Sequence, residues 1–244
     1  MLEGRTAFVT GGAGAVGTAI VRSLARQGAA VAFSYHSSRE KAAQLEQELS
    51  KEGRRVQAHP LDVLEAAAAA RLVDTIERDF GPVDILVNNA GITQVLPFAL
   101  IEEEDWDRMM DTNVKGLFIV TKAFIRPMIR RKRGAIVNLG SLAGMRVLEV
   151  PVHYATSKSA VVGFTLSLAQ EMSRYGIRVN AVVPGLLTSG VSQHVPDKQR
   201  QDYLDHCTLG RAGTPEEVGE LVAFLASDRA AYVNAQAIRI DGGI

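Results

Sequence analysis

Tyr154 and Lys158 stand four residues apart, a spacing that sets both side chains on one face of a helix. A free phenol titrates near ~10, too high to trade protons readily at neutral pH. An ammonium beside it stabilises the phenolate and lowers that value, and the phenol then serves as an acid. Ser141, with twelve residues between it and Tyr154, follows an apolar run at 135–139. Its hydroxyl can hydrogen-bond a carbonyl oxygen and stabilise the charge that develops there.

A second chemistry-bearing segment is Thr10-Gly11-Gly12-Ala13-Gly14-Ala15-Val16-Gly17. It follows an apolar run at 6–9 and opens an amphipathic stretch at 15–27. Small residues let the backbone approach a phosphate, and free N–H groups with the helix dipole hold the anion. The spacing is not a strict G-x-G-x-x-G. A plain tight turn is the alternative, and the strand–turn–helix context favours the phosphate site. In NAD sites an acid about twenty residues on holds the ribose 2′-hydroxyl. Here Ser34-Tyr35-His36-Ser37-Ser38-Arg39 precedes the first acid, Glu40. Hydroxyls and a guanidinium suit a 2′-phosphate, hence NADP over NAD. The alternative is a solvated loop that caps a helix through Ser37 or Ser38.

The apolar pattern supplies a frame for these groups. Short apolar runs at 6–9, 30–33, 56–58, 85–87, 135–139, 179–183 and 237–240 alternate with helical stretches at 15–27, 39–52, 64–79, 114–131, 155–174 and 215–226. Runs rich in Val and Ile suit strands buried on both faces. Thr214-Pro215-Glu216-Glu217 is a helix start, with a cap, a first-turn proline and acids at the positive end of the dipole. The alternation predicts one doubly wound α/β domain over residues 1–244, with no linker or repeat. Irregular stretches at 141–153 and 184–195 follow predicted strands, at the edge where such sheets bind ligands.

Lys and Arg number 27 and Asp and Glu 27, so net charge gives no bulk case for nucleic acid or an anionic membrane. One cysteine, Cys207, makes no intrachain disulfide and fits a reducing compartment. No signal peptide or membrane-length apolar run is read, and a cytoplasmic protein is expected. His59, His194 and His206 lack metal-ligand spacing, so no metal is expected.

Asn88-Asn89-Ala90-Gly91, Asn113 within DTNVKG, Ser141 with Tyr154 and Lys158, and Pro184-Gly185 join the glycine-rich turn. Together they resemble the short-chain dehydrogenase/reductase family over residues 2–243. The segments at 210–228 and 232–243 are most similar to 3-oxoacyl-acyl carrier protein reductases and acetoacetyl-CoA reductases. The resemblance implies a Rossmann domain with a seven-stranded parallel sheet and helices on both faces. It also implies a nicotinamide dinucleotide and usually a homotetramer, formed on the long helices and the last strand.

By the same resemblance Tyr154 is the proton donor, Lys158 its tuner and a hydrogen-bond partner of the nicotinamide ribose, and Ser141 the carbonyl holder. Asn113, on the long helix, is linked to Lys158 through water. Gly11, Gly12, Gly14, Ala15, Val16 and Gly17 line the pyrophosphate, and Ser37 and Arg39 the 2′-phosphate. Asp62 and Val63 meet the adenine, with a helix cap before Leu64 as the alternative for Asp62. Asn88, Ala90 and Gly91, with Asn89 among them as a cofactor-binding residue, line the adenosine ribose and stabilise the central sheet. Pro184, Gly185, Leu187 and Ser189, with Thr188 beside it, face the nicotinamide. Three positions depart from the family pattern: Ala15 replaces a glycine, Gly14 stands where NADP-preferring members often carry a base, and Ser189 stands where the family often has Thr.

Residues 145–152 form a largely apolar substrate wall that suits an acyl chain, and 190–208 a polar lid. His153 is expected in a pocket-wall or packing role. Arg130-Arg131-Lys132-Arg133, with Arg174, either docks an acidic carrier protein or is a solvated helix end. The expected activity is NADPH-dependent reduction of a 3-oxoacyl thioester on acyl carrier protein or CoA, for fatty-acid or polyketide synthesis. Alternatives are a dehydrogenase of sugars or other secondary alcohols, and a non-catalytic dinucleotide-binding regulator.

Overall fold

The Val- and Ile-rich runs pair as parallel strands in a computed structural model that describes residues 1–146, 149–190 and 195–244. The strands are β1 (Thr6–Val9), β2 (Ala30–Tyr35), β3 (Val56–Pro60), β4 (Val83–Asn88), β5 (Gly134–Leu139), β6 (Ile177–Pro184) and β7 (Ala237–Ile240). They form one seven-stranded sheet in the order β3-β2-β1-β4-β5-β6-β7, parallel at every pairing. The chain builds outward from β1 to β3, then returns to lay β4 on the other side of β1. That reversal opens a crevice at the carboxyl ends of β1 and β4.

Alternation along β1 divides the core. Ala7 and Val9 join a cluster under α1 (Ala15–Arg26), α2 (Arg39–Lys51) and α8 (Pro215–Ala226). Phe8 joins a second cluster under α3 (Ala66–Phe80), α5 (Gly116–Arg131) and α6 (Val152–Met172). There its ring stacks on Phe124 with centroids 4.5 Å apart. α8 starts with the capping box its sequence announced: Thr214 Oγ1 accepts from Glu217 N at 3.3 Å and Thr214 N donates to Glu217 Oε2 at 2.8 Å. Ser38 takes the N-cap position of α2, but its side chain makes no cap bond.

Three elements depart from the sequence reading. α4 (Glu103–Met110) precedes the long helix, started by the acid-rich capping box of Glu102 and Asp105. α7 (Asp197–His206) lies within the stretch read as a polar lid. The third is a π turn at Asp111–Lys115, where Gly116 N donates to Asp111 O. Asn113 therefore sits in this turn and not on the long helix, which begins only at Gly116. Here the chain passes close to the loop after β3: a Cβ on Gly116 would stand 2.6 Å from Val63.

A buried polar ladder ties the central elements. Asn88 Nδ2 donates to Thr121 Oγ1 of α5 at 3.0 Å and to Asn138 Oδ1 of β5 at 2.8 Å. Asn138 Nδ2 donates to Thr165 Oγ1 of α6 at 2.9 Å. Among the described residues no helix is long and apolar enough to cross a membrane, and no group of three His, Cys, Asp or Glu is disposed to hold a metal ion.

Candidate active site

The glycine-rich turn is held from beneath. Thr10 Oγ1 accepts from Asn89 N at 2.9 Å and Ala90 N at 3.0 Å. Asn89 Nδ2 donates to Thr10 O at 2.9 Å and Gly11 O at 3.0 Å. Asn89, expected at the adenosine ribose, thus has its amide engaged by the turn itself. Gly11 adopts φ +63°, and a Cβ on Gly12 would stand 2.6 Å from the Phe33 side chain. α1 then starts after Gly14 with no side-chain cap and no acid in its first turn, and Gly14 and Ala15 are exposed. Open N–H groups at an uncapped helix start fit a pyrophosphate. Gly190 approaches from the opposite side; a Cβ there would stand 3.5 Å from that of Ala15. Val16 and Gly17 face inward, half-buried and buried.

Beyond β2, Ser37 and Arg39 are exposed, and neither side chain has a partner among the described residues. Asp62 Oδ1 accepts from Leu64 N at 2.9 Å, while Oδ2 lies 3.8 Å from His36 Nε2. Asp62 therefore closes a turn short of α3. Val63 is buried against Gly116.

At the other end of the crevice, Lys158 is only 7% exposed, and its Nζ donates to Leu139 O at 2.9 Å. It lies over the Tyr154 ring, 5.9 Å from the centroid. Burial pushes this lysine down to about 8. Burial also raises the Tyr154 phenol, and a hydrogen bond with Ser141 draws it back only in part. The direction is opposite to the lowered tyrosine expected from the sequence, because loss of water opposes the phenolate. The protonated form is the one a donor needs. Ser141 lies one residue past Gly140, whose N–H donates to Val182 O at 2.8 Å. Gly144 packs on α6, where a Cβ would meet the Lys158 carbonyl carbon at 2.6 Å. This close approach brings the Ser141 loop onto the Tyr154 helix.

Asn113 is buried. Its Oδ1 accepts from Ile92 N at 2.8 Å, and its Nδ2 donates to Ile92 O and Ser157 Oγ, both at 3.0 Å. A Cβ on Gly91 would stand 3.1 Å from Asn113 Oδ1 and 3.5 Å from Lys158 Nζ, so both groups converge on Gly91. A cavity of about 10 Å³ lies among Thr10, Asn88, Asn113 and Lys158, about the room one water needs. Asn88 Oδ1 has no partner among the described residues.

Ser141 and Tyr154 open onto a pocket of about 930 Å³. Val95, Phe98, Val150, Val152 and Leu186 make apolar walls, while α7 supplies Gln199, Asp202 and His206. Tyr203 Oη donates to Asp241 O at 2.8 Å and moors α7. Of the expected substrate wall, 149–152 line the pocket, and Val147 and Leu148 lie outside the described residues. So do 191–194 of the expected lid. Pro184 and Gly185 line the pocket. Leu187 is buried and bridges to Gly213, and Ser189 is half-buried. The sequence reading missed the 93–98 wall; its signal was Val95-Leu96-Pro97-Phe98, an apolar run with no strand or helix to bury it. His153 is wholly buried at the first turn of α6 and faces Gln94.

The basic run lies elsewhere. Arg131 donates to Glu77 Oε1 at 2.7 Å and Val83 O at 2.6 Å, and Arg133 Nε is 3.3 Å from Asp84 Oδ1. These contacts mark the amino edge of the sheet, and six residues of β5 put Ser141 roughly 20 Å away. Arg130, Lys132 and Arg174 remain exposed or half-exposed at that edge.

Residues 11–244 match the family model described as enoyl-(acyl carrier protein) reductase. The chain is 37% identical to the 3-oxoacyl-[acyl-carrier-protein] reductase FabG of Thermotoga maritima, covering 100% of this chain and 98% of that one. It is 39% identical to nodulation protein G of Rhizobium sp. (strain N33), with the same coverages. A solved short-chain dehydrogenase/reductase from Serratia marcescens superposes with a TM-score of 0.91 at 35% identity, covering 99% of this chain and 98% of that one.

Proposed function

Because the chain belongs to the short-chain dehydrogenase/reductase family of oxidoreductases, which work with an NAD(P)-type dinucleotide, we propose that it reduces 3-oxoacyl thioesters with NADPH. The observation that carries this reading is Tyr154, hydrogen-bonded to Ser141 and lining a pocket with apolar walls. The reduced nicotinamide supplies the hydride when bound. Ser141 hydrogen-bonds the ketone oxygen, and Tyr154 gives that oxygen its proton. Lys158 orients the nicotinamide ribose and stabilises the phenolate as it forms. Asn113 and the one-water cavity refill the proton through Lys158.

Gly11, Gly12, Gly14, Ala15, Val16 and Gly17 hold the pyrophosphate. The unpartnered Arg39 with Ser37 favours the 2′-phosphate, hence NADPH. Asp62 and Val63 lie by the adenine. Ala90 and Gly91 line the adenosine ribose, with Asn89 acting through the turn. Pro184, Gly185, Leu187 and Ser189 serve the nicotinamide side. The acyl chain runs along Val95, Phe98 and Val152, walls that suit it better than a sugar. Carrier protein or CoA bears the thioester, and exposed Phe118, Leu166 and Tyr232 build a homotetramer.

Steady-state reduction of acetoacetyl-CoA with NADPH and with NADH, beside oxidation of glucose, tests the proposal. Turnover of glucose without turnover of acetoacetyl-CoA would refute it.

A further inference from the structure

We infer that Gln94 is a positioning residue: its side-chain amide latches the pocket wall at 93–98 to His153, the residue before Tyr154, and to Asp105 of α4. This rests on the pocket being where the ketone substrate binds. Gln94 Nε2 donates to Asp105 Oδ1 at 2.7 Å, and Gln94 Oε1 faces His153 Nε2 at 3.3 Å. A carboxylate only accepts, so Asp105 decides which end of the amide turns toward it. The amide oxygen is left for the imidazole, and an oxygen of that kind also only accepts. The His153 proton is therefore on Nε2.

The latch is the ring's polar anchor. His153 is fully buried, and its Nδ1 has no partner among the described residues. Burial lowers its pKa, with Asp105 opposing that shift and Arg108 adding to it. At the far end, Asp105 Oδ2 accepts from Glu102 N at 3.4 Å in the cap of α4, and Arg108 lies 3.8 Å from Oδ1. Three elements thus meet on one amide. Thr93 and Val95, on either side of Gln94, line the pocket, and so does Tyr154, which follows His153. The gap between the apolar wall and the phenol is set by this chain of two hydrogen bonds. Gln94 touches neither the phenol nor the ketone, so its loss affects substrate fit more than proton transfer.

Nitrogen-15 NMR of His153 in the wild-type protein is expected to show the proton on Nε2. Asp105→Asn gives position 105 a donor, allows the Gln94 amide to turn over, and moves the proton toward Nδ1. Gln94→Ala is expected to raise KM for acetoacetyl-CoA about tenfold with kcat changed less than about threefold. His153→Leu combined with Gln94→Ala should raise KM no further than Gln94→Ala alone. A wild-type proton on Nδ1, an unchanged KM in Gln94→Ala, or additive effects in the double variant would overturn the latch. The tautomer needs no turnover. If wild-type enzyme leaves acetoacetyl-CoA untouched, the thioester assignment falls, and the NMR result alone decides the latch.

Discussion

Replacing Lys158 with methionine should make the protein more stable at neutral pH while removing its activity. An unfolded lysine titrates near 10.5, and burial brings the native one to about 8. Below pH 8 the native state must hold a charge that its surroundings disfavour, a penalty of roughly 3 kcal/mol. Between 8 and 10.5 the unfolded chain binds more protons than the native one, so wild-type stability rises with pH across that window. Methionine has a similar length and no charge. It forfeits the bond to Leu139 O, and an unsatisfied buried carbonyl offsets about 1 kcal/mol. The variant should therefore gain about 2 kcal/mol at pH 7 and lose that advantage as pH approaches about 10. Urea unfolding at both pH values measures it. Turnover should fall at least about 100-fold at either pH, since the phenolate loses its cation. A variant less stable than wild type at pH 7, or a difference that stays flat with pH, would refute the argument that Lys158 is held against desolvation.

Tyr154→Phe should lower kcat for ketone reduction about 10²- to 10⁴-fold with little change in dinucleotide affinity, measured by steady-state kinetics and nucleotide fluorescence titration. Thr10→Val is nearly isosteric but strips the acceptor from Asn89 N and Ala90 N; unfolding free energy should drop by about 2–4 kcal/mol in denaturant. Arg39→Glu should raise KM for NADPH by about 10- to 100-fold and spare NADH, because a charge-assisted bond to phosphate is lost.

The sheet and its helices were legible because the central strands are buried on both faces and mostly apolar, and helices such as α1 and α3 carry an apolar stripe. Extended strand ends such as Ser34-Tyr35 and His59-Pro60 were not, since their polar residues hide the backbone pairing that continues through them. α4 escaped because only Met109 of its eight residues is buried, which leaves almost no stripe to read. Tyr154, Lys158 and Ser141 were singled out by type and spacing and lie close together in the fold, but the direction of the Tyr154 shift was not legible. Spacing reports that an ammonium is near; it does not report how much water burial removes from the phenol. Both readings of the basic run stayed open for a related reason. Its sequence shows four cations but not Glu77 and Asp84, which lie far away along the chain.

The π turn at Asp111–Lys115 contains one residue more than a regular helix would use over the same rise. Deleting one residue there on either side of Asn113 would let α4 run straight into α5 with an unbroken hydrogen-bond ladder. Asn113 would then swing by about 100° around the axis, away from Ile92 and Ser157. In this stretch the count of residues matters as well as their identity. A chain shortened by one would gain a better helix and lose its asparagine from the lysine, so insertions and deletions are less tolerable here than most substitutions.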